Sequence, residues 1–194
     1  METIEQIRQK AISNHIPIIM DETLKEVGKI LQELKPKAIL EIGTAVGYSA
    51  IRFSKYLSED GYIDTIERDS ERVKEAKQNV ANLNLENKIH LFEGDALEIL
   101  PKLNGPYDVV FIDAAKGKYP IFLNEALRML RNNGIILADN VLYKGYVMSD
   151  YNKHKQRTAV RGLREFLKNL QENKNLSTEI LETGDGLAIS RKIN

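Results

Sequence analysis

The stretch AILEIGTAVGYSAI, Ala38–Ile51, begins as a short apolar run with β character. It then passes through a loop bracketed by Gly43 and Gly47 and enters what reads as a helix without a break. A strand feeding a helix through glycines is the first beat of a βα series, and the same beat recurs downstream. YIDTIE (62–67) precedes a helical pattern over Ser70 to Leu85, IHLFEG (89–94) precedes one over Ala96 to Leu103, YDVVFID (107–113) precedes one near Pro120 to Leu130, and GIILAD (134–139) closes the series. Alternation of this kind predicts an α/β fold with a mostly parallel sheet covered by helices on both faces. Upstream, Ile4, Ile7, Ala11 and Ile12 recur at helical spacing, and a second helix after Pro17 places Leu24, Val27, Ile30, Leu31 and Leu34 on one face with Asp21 as its N-cap. Downstream, a polar segment DYNKHKQR (150–157) leads to a long helix over Thr158 to Glu172. Two closing strands, STEILE and GLAISRK, follow, and the turn TGDG (183–186) makes them an antiparallel pair. No repeat, low-complexity tract or composition shift marks a boundary, so the expectation is one domain over 1–194, with N-terminal helices in 1–35 and an α/β core in 36–194.

Composition narrows the function classes. The 194 residues suffice for a sizeable core. Lysine and arginine total 28 against 28 aspartates and glutamates, so a nucleic-acid partner would have to meet a local basic patch rather than a global field. The absence of cysteine removes disulfides, thiol nucleophiles and thiolate metal sites together, so any metal here needs oxygen ligands. The start METIEQIRQK is amphipathic and charged, with no signal-type apolar core and no membrane-length run after it; the expectation is a cytoplasmic protein with no membrane partner. His15, His90 and His154 are scattered, which argues against a histidine metal cluster or base.

The glycine loop is not GxGxxG, which argues against a dinucleotide pyrophosphate site. Glu41 sets a carboxylate near the first glycine, suited to a cationic ligand such as a sulfonium or amine rather than to a phosphate. Glu67 ends the second strand, where an acid can accept from both hydroxyls of a ribose. If the ribose sits there, Asp95 and Ala96, after the third strand, fall beside the adenine. Asp95 also reads as an ordinary helix N-cap and Glu67 as an ordinary surface acid. Taken in order, LEIGTAVGYSAI, TIERD, GDALEILP and YDVVFIDAAKGKY resemble the class I S-adenosylmethionine-dependent methyltransferases. The resemblance implies a Rossmann-like fold with seven strands, the last antiparallel. It also implies that the Gly43 backbone and the Ser49 hydroxyl hold the methionine part of the cofactor, and Glu67 the ribose.

Two further strands finish on oxygen ligands: Asp113 after VVFI, with Lys116 three residues on, and the pair Asp139-Asn140 after GIILA. Ends of parallel strands share one edge, so two carboxylates and an amide can converge on one hard cation that keeps open positions for substrate. Helix capping by Asp113, an Asx turn at Asp139-Asn140 and a solvated Lys116 are the plain alternatives. The Asp113-to-Lys116 spacing and DNVL resemble the metal-dependent O-methyltransferases, the group that includes catechol and caffeoyl-CoA methyltransferases. That resemblance assigns Asp113, Asp139 and Asn140 to Mg²⁺ or Mn²⁺, and Lys116 to removal of the acceptor proton. Asp113 counts at once as catalytic, metal-binding and cofactor-adjacent.

Whole segments, HIPII, GTAVGYSAIR, FIDAAKGKY, DNVLYKG and GDGLAIS, are similar to the bacterial methyltransferases that convert 5-hydroxyuridine to 5-methoxyuridine at the tRNA wobble position. By that resemblance Ile19 reaches the cofactor, the tRNA anticodon loop is the partner, and a homodimer is expected. The acceptor chemistry is coherent, because the 5-hydroxyl and the neighbouring C4 carbonyl can chelate a metal as the two oxygens of a catechol do. A wobble base in a loop can be splayed into a pocket. Lys144, Lys153, Lys155, Arg157, Arg161 and Arg164 form a basic cluster that could track phosphates, or simply a solvated helix face. The alternative acceptor is a small catechol or a hydroxycinnamoyl-CoA.

Overall fold

A computed structural model describes residues 3–150 and 154–193. Backbone packing divides the chain into two compact units, Met1–Lys102 and Leu103–Asn194.

In the first unit, helix α1 (Ile4–Ser13) opens with a capping box. Thr3 Oγ1 accepts from the Gln6 amide and the Gln6 side chain accepts from the Thr3 amide, satisfying two donors that a helix start leaves open. Of its apolar stripe only Ile7 and Ala11 are buried, while Ile4 and Ile12 are exposed. Helix α2 (Asp21–Leu34) is capped by Met20 rather than by Asp21. Asp21 is instead the first helical residue, its carboxylate accepting from Arg8 at 2.6 Å, so it stabilises the helix start through charge and not through capping. Strand β1 (Ala38–Ile42) is wholly buried and leads to α3 (Tyr48–Ser54). The helix begins only after Ala45 and Gly47, which adopt left-handed φ values of 46° and 83°. Strand β2 (Tyr62–Glu67), α4 (Ser70–Asn82, capped by Asp69), β3 (Ile89–Glu93) and a short α5 (Ala96–Ile99) complete the unit. β1 runs parallel to β2, with Ile42 opposite Ile66, and β2 parallel to β3, with Glu67 opposite Glu93. This register brings the glycine loop, Glu67 and Asp95 to one edge.

In the second unit β4 (Tyr107–Ile112) is wholly buried; a 3-10 turn (Lys116–Lys118) and α6 (Tyr119–Met129) follow it. β5 (Leu130–Ala138) begins before the predicted Gly134, with Arg131–Asn133 exposed at its start. β4 and β5 are parallel, Ile112 facing Ala138, so both deliver their following residues to the same edge. After α7 (Arg157–Glu172), which buries Val160, Leu163, Phe166, Leu167 and Leu170, the strands β6 (Leu176–Leu181) and β7 (Leu187–Lys192) form the expected hairpin. β7 inserts antiparallel beside β5, giving the strand order β3-β2-β1-β4-β5-β7-β6. This is the Rossmann-like arrangement expected from the sequence. Among the described residues no helix is long and apolar enough to cross a membrane.

Candidate active site

The glycine loop of the first unit is held from below and from behind. The amides of Gly43 and Thr44 both donate to the Ile66 carbonyl, at 3.0 and 3.1 Å, and Gly47 turns back to Thr44. Glu67 is buried and does more than wait for a ligand. Its Oε2 accepts from the Ala45 amide and its Oε1 from the amides of Arg68 and Asp69, each at 2.9 Å. A carboxylate offers about four lone-pair positions, so about one stays open for a ribose hydroxyl while the others fix the loop.

Glu41 lies deeper than the sequence suggests. It is fully buried, accepts a short hydrogen bond from the Thr65 hydroxyl, and through Thr65 is linked to Thr44 at 2.5 Å. Its side chain therefore braces the loop from inside the sheet. Ser49 is buried in the first turn of α3, and Ile19 is buried in the segment ahead of α2. Asp95 does act as an N-cap, Oδ1 accepting from Leu97 at 2.8 Å, and Ala96 begins α5. Sequence reasoning missed Asn79 of α4, whose buried side-chain amide donates to the Val46 carbonyl at 2.9 Å and ties the loop to that helix. Nothing in the local sequence distinguishes it from any other polar helix residue.

The second unit gathers Asp113, Lys116, Asp139 and Asn140. Lys116 Nζ lies 3.1 Å from Asp113 Oδ1 and donates as well toward the Ala114 carbonyl. Asp139 is 1% exposed, and its Oδ1 accepts from the Asn140 amide at 2.7 Å. Burial first, and then the charge of Asp113, push the Asp139 carboxyl up to about 7, against the opposing pull of the Asn140 amide and Lys116. Two mutually repelling carboxylates, one of them dehydrated, beside an amide oxygen form a donor set that a hard divalent cation would relieve. Among the described residues no group of three or more His, Cys, Asp or Glu is placed to hold a metal ion, so a cation at this edge would depend on the two carboxylates together with the Asn140 amide. The Asx turn that the sequence allowed does not form at Asp139: its Oδ1 accepts from the next amide, Asn140, and the amide two residues on, Val141, donates to the Gly186 carbonyl.

Two positioning residues were not singled out in the sequence. The buried Tyr119 hydroxyl donates to the carbonyls of Asp139, at 2.9 Å, and Ile112, at 3.2 Å, lacing the ends of β5 and β4 together. Burial, reinforced by the charges of Asp113 and Asp139, pushes its phenol well above the usual tyrosine range, so it stays a donor. Gly162 of α7 touches the loop that carries Lys116: a Cβ there would stand 2.7 Å from Gly117 Cα and 2.8 Å from the Lys116 carbonyl oxygen. A glycine inside a helix costs about 1 kcal/mol relative to alanine, and this close approach is the reason for it.

The basic cluster divides. Lys144, Lys155, Arg157 and Arg161 are exposed. Arg157 and Arg161 help line a cleft of about 660 Å³ beside the strongly exposed Met148. Arg164 is committed elsewhere: its guanidinium donates to the carbonyls of Tyr146, Val147 and Ser149, anchoring that loop, so it leaves the candidate RNA set. Lys153 lies outside the described residues. His90 pairs with Asp64 at 2.9 Å and stacks on Tyr62.

The family model described as O-methyltransferase matches residues 1–193. A catechol O-methyltransferase of Niastella koreensis is 35% identical over 176 residues, covering 84% of this chain and 78% of that protein. Among solved structures, a Staphylococcus aureus protein assigned provisionally to the caffeoyl-CoA O-methyltransferases has 36% identity and a TM-score of 0.91, covering 99% of this chain and 93% of that one. A Bacillus cereus O-methyltransferase solved with SAH has 26% identity and a TM-score of 0.88, covering 97% and 90%. With the glycine loop, Glu67 and the Asp113–Lys116 edge in place, the chain belongs to the O-methyltransferase family and is an S-adenosylmethionine-dependent O-methyltransferase of the catechol and caffeoyl-CoA type.

Proposed function

We propose that this methyltransferase acts on 5-hydroxyuridine at the wobble position of tRNA, forming 5-methoxyuridine. The observation that carries the reading is the exposed basic set Lys144, Lys155, Arg157 and Arg161. It belongs to the same compact unit as Asp113, Lys116, Asp139 and Asn140, in a chain whose formal net charge is zero. Such a set favours an acceptor that brings phosphates.

In this reading Glu67, the Gly43–Gly47 loop, Ser49, Asp95, Ala96 and Ile19 hold S-adenosylmethionine, which supplies an electrophilic methyl on sulfur. Asp113, Asp139 and Asn140 would hold Mg²⁺ or Mn²⁺, which would make the acceptor hydroxyl more acidic. Lys116, in its neutral amine form, takes the hydroxyl proton and becomes the ammonium; its Nζ is kept at this edge by Asp113 Oδ1, 3.1 Å away. Tyr119 and Gly162 keep those groups where an in-line attack needs them, which is where most of the rate gain in such a displacement arises.

A second reading, small-catechol methylation, is favoured by the 35% identity to the Niastella koreensis enzyme and uses the same groups. The deciding experiment offers labelled S-adenosylmethionine and Mg²⁺ with tRNA carrying 5-hydroxyuridine or with catechol, each with and without chelator, at low and high salt. Chelator-sensitive, salt-sensitive transfer to the tRNA, much faster than to catechol, is expected. Transfer to catechol alone would move the function to small molecules and leave the basic set as a solvated face.

A further inference from the structure

The turn between β6 and β7 packs against the segment that follows Asp139-Asn140. Four consecutive amides of that segment are satisfied by two turn residues: Val141 donates to the Gly186 carbonyl at 3.0 Å, Leu142 and Tyr143 to the Asp185 carbonyl at 2.9 and 3.2 Å, and Lys144 to Asp185 Oδ1 at 3.1 Å. The approach is close enough that a Cβ on Gly186 would stand 2.4 Å from Leu142 Cγ. Within the segment Asn140, Tyr143 and Lys144 all hold left-handed φ values, of 57°, 42° and 56°. Asparagine visits that region readily, whereas a tyrosine and a lysine keep it only where the surroundings impose it.

We infer that Asp185 is a positioning residue of the metal and acceptor site, its side-chain bond to the Lys144 amide holding the strained segment that presents Asn140 and Asp139. Three of the four amide bonds go to backbone carbonyls and survive any side-chain change; the fourth depends on the Asp185 carboxylate. Through it a turn remote in sequence sets the aim of the Asn140 amide oxygen and the course of the Tyr143-Lys144 backbone beside it. The inference rests on Asp113, Asp139 and Asn140 being the metal ligands.

The test titrates Mn²⁺, followed by electron paramagnetic resonance, into the wild type, Asp185→Ala and Asp185→Asn, well below their unfolding temperatures. S-adenosylmethionine affinity is measured in parallel. The asparagine variant keeps a side-chain oxygen acceptor and loses the charge, whereas the alanine variant loses both. Asp185→Ala should weaken Mn²⁺ binding by about 10-fold or more, the scale on which supporting partners of metal ligands act. Asp185→Asn should stay within a few-fold of wild type, and cofactor affinity should hold in both. Wild-type Mn²⁺ affinity in Asp185→Ala overturns the inference and spares the metal reading. Equal loss in Asp185→Asn also overturns it, because charge rather than the bond would then be responsible. Failure of the wild type to bind Mn²⁺ overturns the inference and the metal reading together.

Discussion

Replacing Asp139 with asparagine should stabilise the metal-free protein while abolishing its activity. The Asp139 carboxyl is held at about 7 against an ordinary 3.8, chiefly by burial. Between those two values the native state binds more protons than the unfolded chain, so the stability of the metal-free wild type falls as pH rises through that window and is lowest above 7. At 1.36 kcal/mol per pKa unit the native state carries up to about 4 kcal/mol of unfavourable ionisation at pH 8. The introduced amide does not ionise, keeps an oxygen for the Asn140 amide and is nearly isosteric with the carboxylate. In chelator at pH 8 the variant should therefore exceed wild type by about 2 to 4 kcal/mol on this scale, and at pH 5 the gap should shrink by well over half. Urea unfolding of both proteins at each pH measures this, and taking their difference cancels the titrating groups that do not interact with Asp139. With Mg²⁺ at 100 times its dissociation constant the wild type should recover about 2.7 kcal/mol and the variant nothing. A variant less stable than wild type at pH 8 in chelator, or a gap independent of pH, would refute the description of Asp139 as a dehydrated carboxylate awaiting a cation.

Gly162→Ala puts a methyl against the Gly117 and Lys116 backbone, so kcat should drop by about 100-fold, the cost of misplacing a reacting group by roughly 1 Å, with S-adenosylmethionine affinity unchanged by calorimetry. Glu67→Gln replaces an acceptor of three amides by a group with one oxygen. Cofactor affinity should fall about 10-fold or more, at about 1.5–3 kcal/mol per charged hydrogen bond, and a variant that binds as wild type would show the clamp to be dispensable. Arg157→Ala and Arg161→Ala should each lower the salt slope of tRNA binding by about 1 and leave catechol turnover alone; equal slopes in filter-binding assays would remove them from the interface. Arg164→Ala should instead loosen the 146–149 loop and lower thermal stability without changing that slope.

The alternation of short apolar runs with helical periods was enough to assign the α/β class and the strand ends, because burial on both faces of a parallel strand leaves a signature within about six residues. The placement of Glu67, Asp113, Lys116 and the pair Asp139-Asn140 was legible for the same reason: each lies at, or within a few residues of, the carboxyl end of a parallel strand. Local sequence could not place Asp21, because the cap depends on where the backbone turns, and Met20 turns first. Nor could it tell the surface role of Arg161 from the anchoring role of Arg164, one helical turn apart, since that choice is made by the carbonyls of a distant loop. Glu41 became a brace instead of a ligand-facing charge through Thr65 on a neighbouring strand. Tyr119, Gly162, Asn79 and Asp185 act entirely through backbone groups brought close by folding. Hydrogen bonds and close approaches between residues far apart in the chain have no local pattern, so only the tertiary structure could decide which side chains would hold the site in place.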